Sequence, residues 1–206
     1  MRRQAFAAVA LLVVAASAGQ ARAETSSVRG ELEISVSRAA LRGLGPIVVY
    51  LDPIDTPPLP ARALPAVRIE QRGAAFSPAF QVVSVGQTLD MPNADVIYHN
   101  VFSYSRPNDF DLGMYPAGES RAVRFDHPGV VKVYCSIHES MNATIVVAPT
   151  PLFAVVHPDG HFVIEDVPSG RYRLRTWCEK LPEISREISV EGDTPLSVSL
   201  SLRSPG

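Results

Sequence analysis

The stretch that most constrains this chain is residues 130–147. There the apolar run Val130-Val131-Lys132-Val133-Tyr134 leads into a short polar loop, and a second run, Ala143-Thr144-Ile145-Val146-Val147, leaves it. The two runs read as consecutive β-strands joined by one tight loop, because short runs rich in β-branched and aromatic residues fit a pleated, half-buried surface. The loop carries Cys135, His138 and Met141. A thiolate, an imidazole and a thioether held in one turn form a soft donor set, which suits copper better than magnesium, calcium or manganese.

A second imidazole stands at the end of an upstream apolar run, in Ile97-Tyr98-His99-Asn100-Val101-Phe102. Two His and one Cys in a trigonal arrangement with a weak axial Met make the ligand set of blue-copper electron-transfer sites. His99, Cys135, His138 and Met141 are therefore the candidate ligands of one copper ion of type 1. Each has a plainer reading. His99 can be a buried neutral histidine bonded to a carbonyl, Met141 a gap-filling core methionine, and Cys135 half of a disulfide with Cys178, since two Cys in an exported chain ordinarily pair. The joint placement of the four favours ligation. Cys178 is then expected to be a free thiol buried as a small hydrophobe.

The segment from about 66 to 148 resembles the cupredoxin family, the plastocyanin and amicyanin group in particular. The C-x2-H-x2-M spacing of Cys135, His138 and Met141 is similar to the short ligand loop of amicyanin, where plastocyanin has a longer gap before its Met. His99-Asn100-Val101 is similar to the family's upstream ligand motif, and Phe125 to Cys135 to the strand that enters the ligand loop. The resemblance implies a Greek-key β-sandwich and one-electron transfer. It also implies a hydrogen bond between Asn100 and Ser136 that ties the two ligand segments together, and an exposed ring edge on His138 as the route for electrons, with His99 buried.

The remaining chain is read as strands and turns. Val28 to Val36 alternates in a period of two, Pro46 to Leu51 is a more continuous apolar run, and short runs at 67–71, 80–85, 88–93, 120–125 and 130–135 follow at roughly ten-residue spacing. That spacing argues an all-β sandwich or barrel. Residues 103–120, polar and rich in Gly, Pro and Ser, are expected to be a connection crossing the end of the sandwich. The tail runs from Phe153 through the Asp159-Gly160 turn to strands near 161–165, 172–177, 187–190 and 196–202. Its Asp159-Gly160-His161-Phe162 and Val167-Pro168-Ser169-Gly170-Arg171-Tyr172 are similar to the D-G-x-F…P-x-G-x-Y signature of carboxypeptidase-regulatory, transthyretin-like sandwiches.

A sandwich of about 55 residues buries little apolar surface, and the strands at 28–36 and 47–51 have the pattern the tail lacks. The expected division is therefore a signal peptide at 1–23, a discontinuous smaller sandwich from 24–61 and 150–206, and a copper domain at 62–149 inserted between its parts. Pro-rich segments at 52–65 and 148–151 mark the joints.

Arg2 and Arg3, the apolar run from Ala5 to Ala16, and Ala21-Arg22-Ala23 fit a secretory signal peptide cut after Ala23, or after Ala18 as the alternative. The apolar run falls short of the ~20 residues of a spanning helix, so the mature chain is expected in the periplasm without a membrane span. A net charge of −2 with no Lys/Arg block gives no electrostatic footprint for nucleic acid. No phosphate-binding loop or nucleophile elbow is present, and ligation would consume the one histidine beside Ser136. The expectation is a non-enzymatic electron carrier with a redox partner protein; the alternatives are a copper-delivery protein and a non-catalytic scaffold. Met91 and Met114 are expected to be structural, His127 a surface turn residue, and His157 and His161 solvated.

Overall fold

A computed structural model describes residues 25–35, 43–55 and 64–203. The expected signal peptide and most of the Pro-rich joint at 52–65 lie outside the described residues. These form strands and no helix: β1 (Thr25–Ser35), β2 (Ile47–Pro53), β3 (Val67–Arg68), β4 (Glu70–Gln71), β5 (Phe76–Ser77), β6 (Phe80–Ser84), β7 (Thr88–Pro92), β8 (His99–Ser103), β9 (Phe110–Tyr115), β10 (Ser120–Arg124), β11 (Gly129–Tyr134), β12 (Asn142–Ala148), β13 (Phe153–Val155), β14 (His161–Pro168), β15 (Gly170–Cys178), β16 (Ser185–Val190) and β17 (Leu196–Arg203). The chain is all-β.

The strands between residues 67 and 148 form two main sheets that share one apolar core. One has the order β6-β12-β11-β8-β9, the other β10-β7-β3, and the β4–β5 hairpin lies alongside. Several neighbours in space, β6 with β12, β8 with β11 and β7 with β10, are far apart in sequence, as in a Greek key. Inward residues at alternate positions, among them Leu89, Met91, Val101, Val131, Val133 and Ile145, are fully buried and form one apolar cluster with Cys135 and Met141. The period-two pattern that marks these strands in the sequence is the pattern that fills this core.

The other strands make sheets of order β14-β1-β17 and β13-β2-β15-β16. β1 pairs with β14 and β17, and β2 with β13 and β15; among the described pairings neither joins a strand between β3 and β12. Their inward residues, including Val28, Leu51, Ile164, Tyr172 and Leu174, form a separate cluster. At Asp166, with φ at 56°, the alternation of β14 shifts and the register with β1 slips between Ser26 and Val28, as a bulge requires.

The sheets of the two groups meet at a third apolar cluster. Val48 of β2, Val82 of β6, and Val146 and Ala148 of β12 are buried there against Tyr50, Phe80, Phe153 and Trp177. The Phe80 and Trp177 rings stack at 5.8 Å, and the Lys132 ammonium reaches from β11 to the Glu179 carboxylate.

One expectation needs correction. Residues 103–120 are not a plain connection, because Phe110-Asp111-Leu112-Gly113-Met114-Tyr115 forms β9 at the edge of the sheet, paired with β8. An edge strand is free to face water with polar side chains, and Gly113 at φ 66° breaks its alternation, so the run lacks a strand-like sequence signature. Met114 is 55% exposed, whereas Met91 is fully buried.

Gly30 shows how tightly the smaller core is closed. It lies opposite Phe162 on one side and Val198 on the other, and a Cβ there would stand 2.2 Å from Phe162 Cζ and 2.8 Å from Val198 Cγ2. Gly30→Ala is expected to lower stability by about 1–3 kcal/mol through overpacking, measured by urea unfolding followed through Trp177 fluorescence. An unchanged midpoint would show that the Phe162 ring gives way freely.

Candidate metal centre

β11 ends at Tyr134 and β12 begins at Asn142, and these two residues pair directly. The residues between them therefore protrude as one loop, closed by backbone bonds from Met141 N–H to His138 O (2.9 Å) and from Cys135 N–H to Met141 O (3.2 Å). On its other side β11 pairs Tyr134 with Phe102 of β8. Alternate residues of a strand share a face, so Val101 and His99, both fully buried, point into the same core that receives Cys135.

The result is a compact donor group. Cys135 Sγ lies 3.8 Å from His99 Nδ1 and 3.9 Å from His138 Nδ1, and one ligand atom from each residue lies within 4.8 Å of the others. His99 and Cys135 are buried, with 0% and 5% exposure, while His138 is half-buried. The two imidazoles meet edge to face at 4.9 Å. Met141, 1% exposed, lies in the same apolar cluster as Cys135. Among the described residues this is the one His/Cys/acid group with metal-holding geometry.

The residues fit a metal ion. Bonds of about 2.3 Å to sulfur and about 2.0 Å to nitrogen that meet at a wide angle span roughly 3.8 Å, close to the two sulfur–nitrogen separations here. A thiol with two imidazoles selects soft or borderline metals.

Of the outer residues expected from the sequence, Asn100 is 8% exposed and its Nδ2 donates to Asp111 Oδ1 at 2.9 Å, which also accepts the Gly113 N–H. Ser136 is exposed, and no described hydrogen bond joins it to Asn100. The partner of Asn100 comes from β9, the strand the sequence did not reveal.

Sequence reading missed Asp95. Its Oδ2 lies 2.8 Å from His99 Nε2. A carboxylate accepts there, so Nε2 carries the proton and the Nδ1 lone pair faces Cys135. Burial alone would raise the Asp95 carboxyl, but the Ala74 N–H, the His99 imidazole and the Gly73 N–H together hold it below its ordinary value. The sole trace of it in the sequence is a short acid in the turn-forming run Pro92-Asn93-Ala94-Asp95.

That run is pinned from beneath. Asn93 Nδ2 donates to Ile97 O (2.8 Å) and to Tyr115 O (3.1 Å), while the Tyr115 hydroxyl and Gln71 Nε2 both donate to Met91 O. Burial pushes the Tyr115 hydroxyl up to about 12, so it stays a donor.

Both cysteines are free and buried, Cys135 in the ligand-loop core and Cys178 in the smaller core, where its Sγ lies 3.6 Å from Leu44 O. A Cys135–Cys178 bridge is absent. His127, His157 and His161 are exposed.

No protein-family model matches the chain. No curated protein matches it either. Among solved structures the chain is similar to a reduced tyrosine-for-tryptophan mutant of amicyanin, with 20% identity and a TM-score of 0.38, over 40% of this chain and 81% of that one. It is also similar to a purple cupredoxin from Nitrosopumilus maritimus, with 23% identity and a TM-score of 0.36, over 40% of this chain and 99% of that one.

The unequal burial of the two imidazoles sets a chemical expectation. In the metal-free protein, diethyl pyrocarbonate should modify His138 while His99 stays unmodified until the chain unfolds, as read by peptide mass spectrometry. Equal labelling of both would contradict the burial of His99.

Proposed function

We propose that this chain is a periplasmic, single-copper protein of type 1 that carries one electron at a time and catalyses no reaction of its own. The observation that supports it is the convergence of His99 Nδ1 and His138 Nδ1 on Cys135 Sγ at 3.8 and 3.9 Å in a largely buried site. When bound, copper supplies one-electron chemistry between its two oxidation states.

Each ligand has its own part. Cys135 would hold the metal as a thiolate. His99, with no exposed surface, fixes the site from inside. Met141, buried in the same cluster as Cys135, would offer its thioether sulfur to the metal. Because the loop is closed by its own backbone bonds and seated in a packed core, the donor set is held in one geometry, which limits rearrangement when the charge changes.

His138 is the exit. It is the half-buried ligand, and Ile137 beside it is 48% exposed, so an apolar rim adjoins the imidazole edge. A redox partner protein would dock there over a small area, as transient electron-transfer pairs do. No helix among the described residues is long and apolar enough to cross a membrane. The apolar segment at 5–16 is read as part of a cleaved export signal.

The same reading assigns the copper-binding part to residues 62–149, inserted into a smaller transthyretin-like sandwich built from 24–61 and 150–206. The pairings of β1 and β2 with strands after residue 150 support it. So does the return of the chain after β12, where Thr150 Oγ1 donates to Leu51 O at 2.8 Å and Leu51 N–H to Leu152 O at 2.9 Å.

Copper loading of the purified protein, followed by absorption and EPR spectra, tests the function. A strong thiolate-to-copper charge-transfer band with a reversible one-electron potential is expected, and Cys135→Ser should abolish the band and most of the copper affinity. A colourless Cu(I) site that yields its metal to a chelator would point to copper delivery instead, and no metal uptake to a scaffold.

A further inference from the structure

Both ring nitrogens of His99 are committed, Nδ1 toward Cys135 and Nε2 to Asp95. What holds Asp95 is a turn that is distant in sequence. β4 and β5 are joined at Arg72 and Ala75, whose backbones exchange hydrogen bonds of 3.0 and 3.2 Å. The two residues between them, Gly73 and Ala74, have φ values of 61° and 51°. Such a two-residue hairpin turn needs positive φ at both central positions, a region that glycine tolerates and alanine disfavours.

The Gly73 N–H donates to Asp95 Oδ1 at 2.5 Å and the Ala74 N–H to Oδ2 at 2.9 Å. Successive amides aimed at one anion form a nest. The turn is locked onto the Asp95 segment by the bond from Ala94 N–H to Gln71 O (2.9 Å) and by the bridge between Gln71 and Asn93. Asp95 N–H in turn donates to Asn93 Oδ1 at 3.0 Å. The Asp95 side chain is 14% exposed, so water competes little for it. A disfavoured backbone held in place around one functional group is an observation from which a role can be inferred.

We propose that Asp95, seated in the Gly73–Ala74 amide nest, is a positioning residue that sets the reduction potential of the copper centre. The proposal rests on the copper reading above. By accepting the Nε2 proton, Asp95 fixes the His99 tautomer and ring plane with the Nδ1 lone pair at the metal position. Its negative charge behind the ring makes the imidazole a stronger donor and favours the more positive, oxidised metal. The nest amides hold that charge at a fixed distance and draw off part of it, so the turn acts on the metal through two intervening groups.

Asp95→Asn removes the charge but keeps an acceptor oxygen of the same reach. In the copper-loaded protein it should retain the charge-transfer band and shift the equilibrium toward reduction roughly tenfold, about 59 mV for a one-electron couple, measured by spectroelectrochemistry against mediators. Asp95→Ala, which removes the acceptor as well, should also broaden the band. In the metal-free wild type, nitrogen-15 NMR should find His99 protonated at Nε2, with the Gly73 and Ala74 amides protected from exchange. An Asp95→Asn protein that keeps its band and shifts the equilibrium less than about threefold overturns this proposal and leaves the copper reading standing. A wild type without the band overturns both. If Asp95→Asn fails to load, the metal-free wild type decides: Nε2–H supports the proposal and Nδ1–H overturns it.

Discussion

The candidate metal centre depends on β11 having two different antiparallel neighbours. β12 returns the chain from the ligand loop, while β8 brings in a residue from far upstream, and the register between β11 and β8 determines which residue that is. A slip of one residue in that pairing would turn every β8 side chain to the opposite face of the sheet. His99 would then point to solvent, and the loop would keep Cys135, His138 and Met141 without the second imidazole. Fully buried side chains on both strands, Val101 on β8 and Val131 and Val133 on β11, make that slip costly. The apolar core is thus what specifies the polar site.

The four candidate ligands were legible because three of them share one short loop and the fourth begins an apolar strand. Local spacing carries that kind of information. The layer behind them was not legible. Asp95 acts through bonds to two backbone amides of a turn that precedes it by about twenty positions, and such contacts leave no period in the sequence. β9 was missed for a related reason: as an edge strand with one glycine at positive φ, it has few buried positions to mark it. That omission extended to Asn100, whose partner Asp111 lies on β9. The alternation of β1 and the continuous apolar run of β2, in contrast, were plain, because β1 turns one face to a core and β2 buries Ile47, Val49 and Leu51 in one cluster and Val48 in another.

The contact between the two groups of sheets combines interactions of unequal weight. The Lys132–Glu179 pair has side chains 35% and 55% exposed, and a pair in such a setting contributes about 0–1 kcal/mol. The cluster of Val48, Val82, Val146 and Ala148 with Phe80 and Trp177 is largely dry, and burying even one such side chain is worth about 1.5–3 kcal/mol. Apolar packing therefore dominates the junction, with the ion pair at its rim. Lys132 and Val146 lie on the two strands that frame the ligand loop, so the smaller sandwich packs against the strands that carry that loop.

Under the proposed export, the placement of the two thiols has a consequence for the order of events. Cys135 and Cys178 are buried in separate apolar clusters, and a disulfide requires Cα atoms less than about 7 Å apart. Once both cores have closed, no oxidant can join the two sulfurs without first opening the chain. In an oxidising compartment the vulnerable interval is therefore the one before folding, when the chain is long enough to bring them together by chance. Whether the Cys135 sulfur survives as a free thiol then becomes a race between core formation and cross-linking, decided by the relative rates of folding and of thiol oxidation.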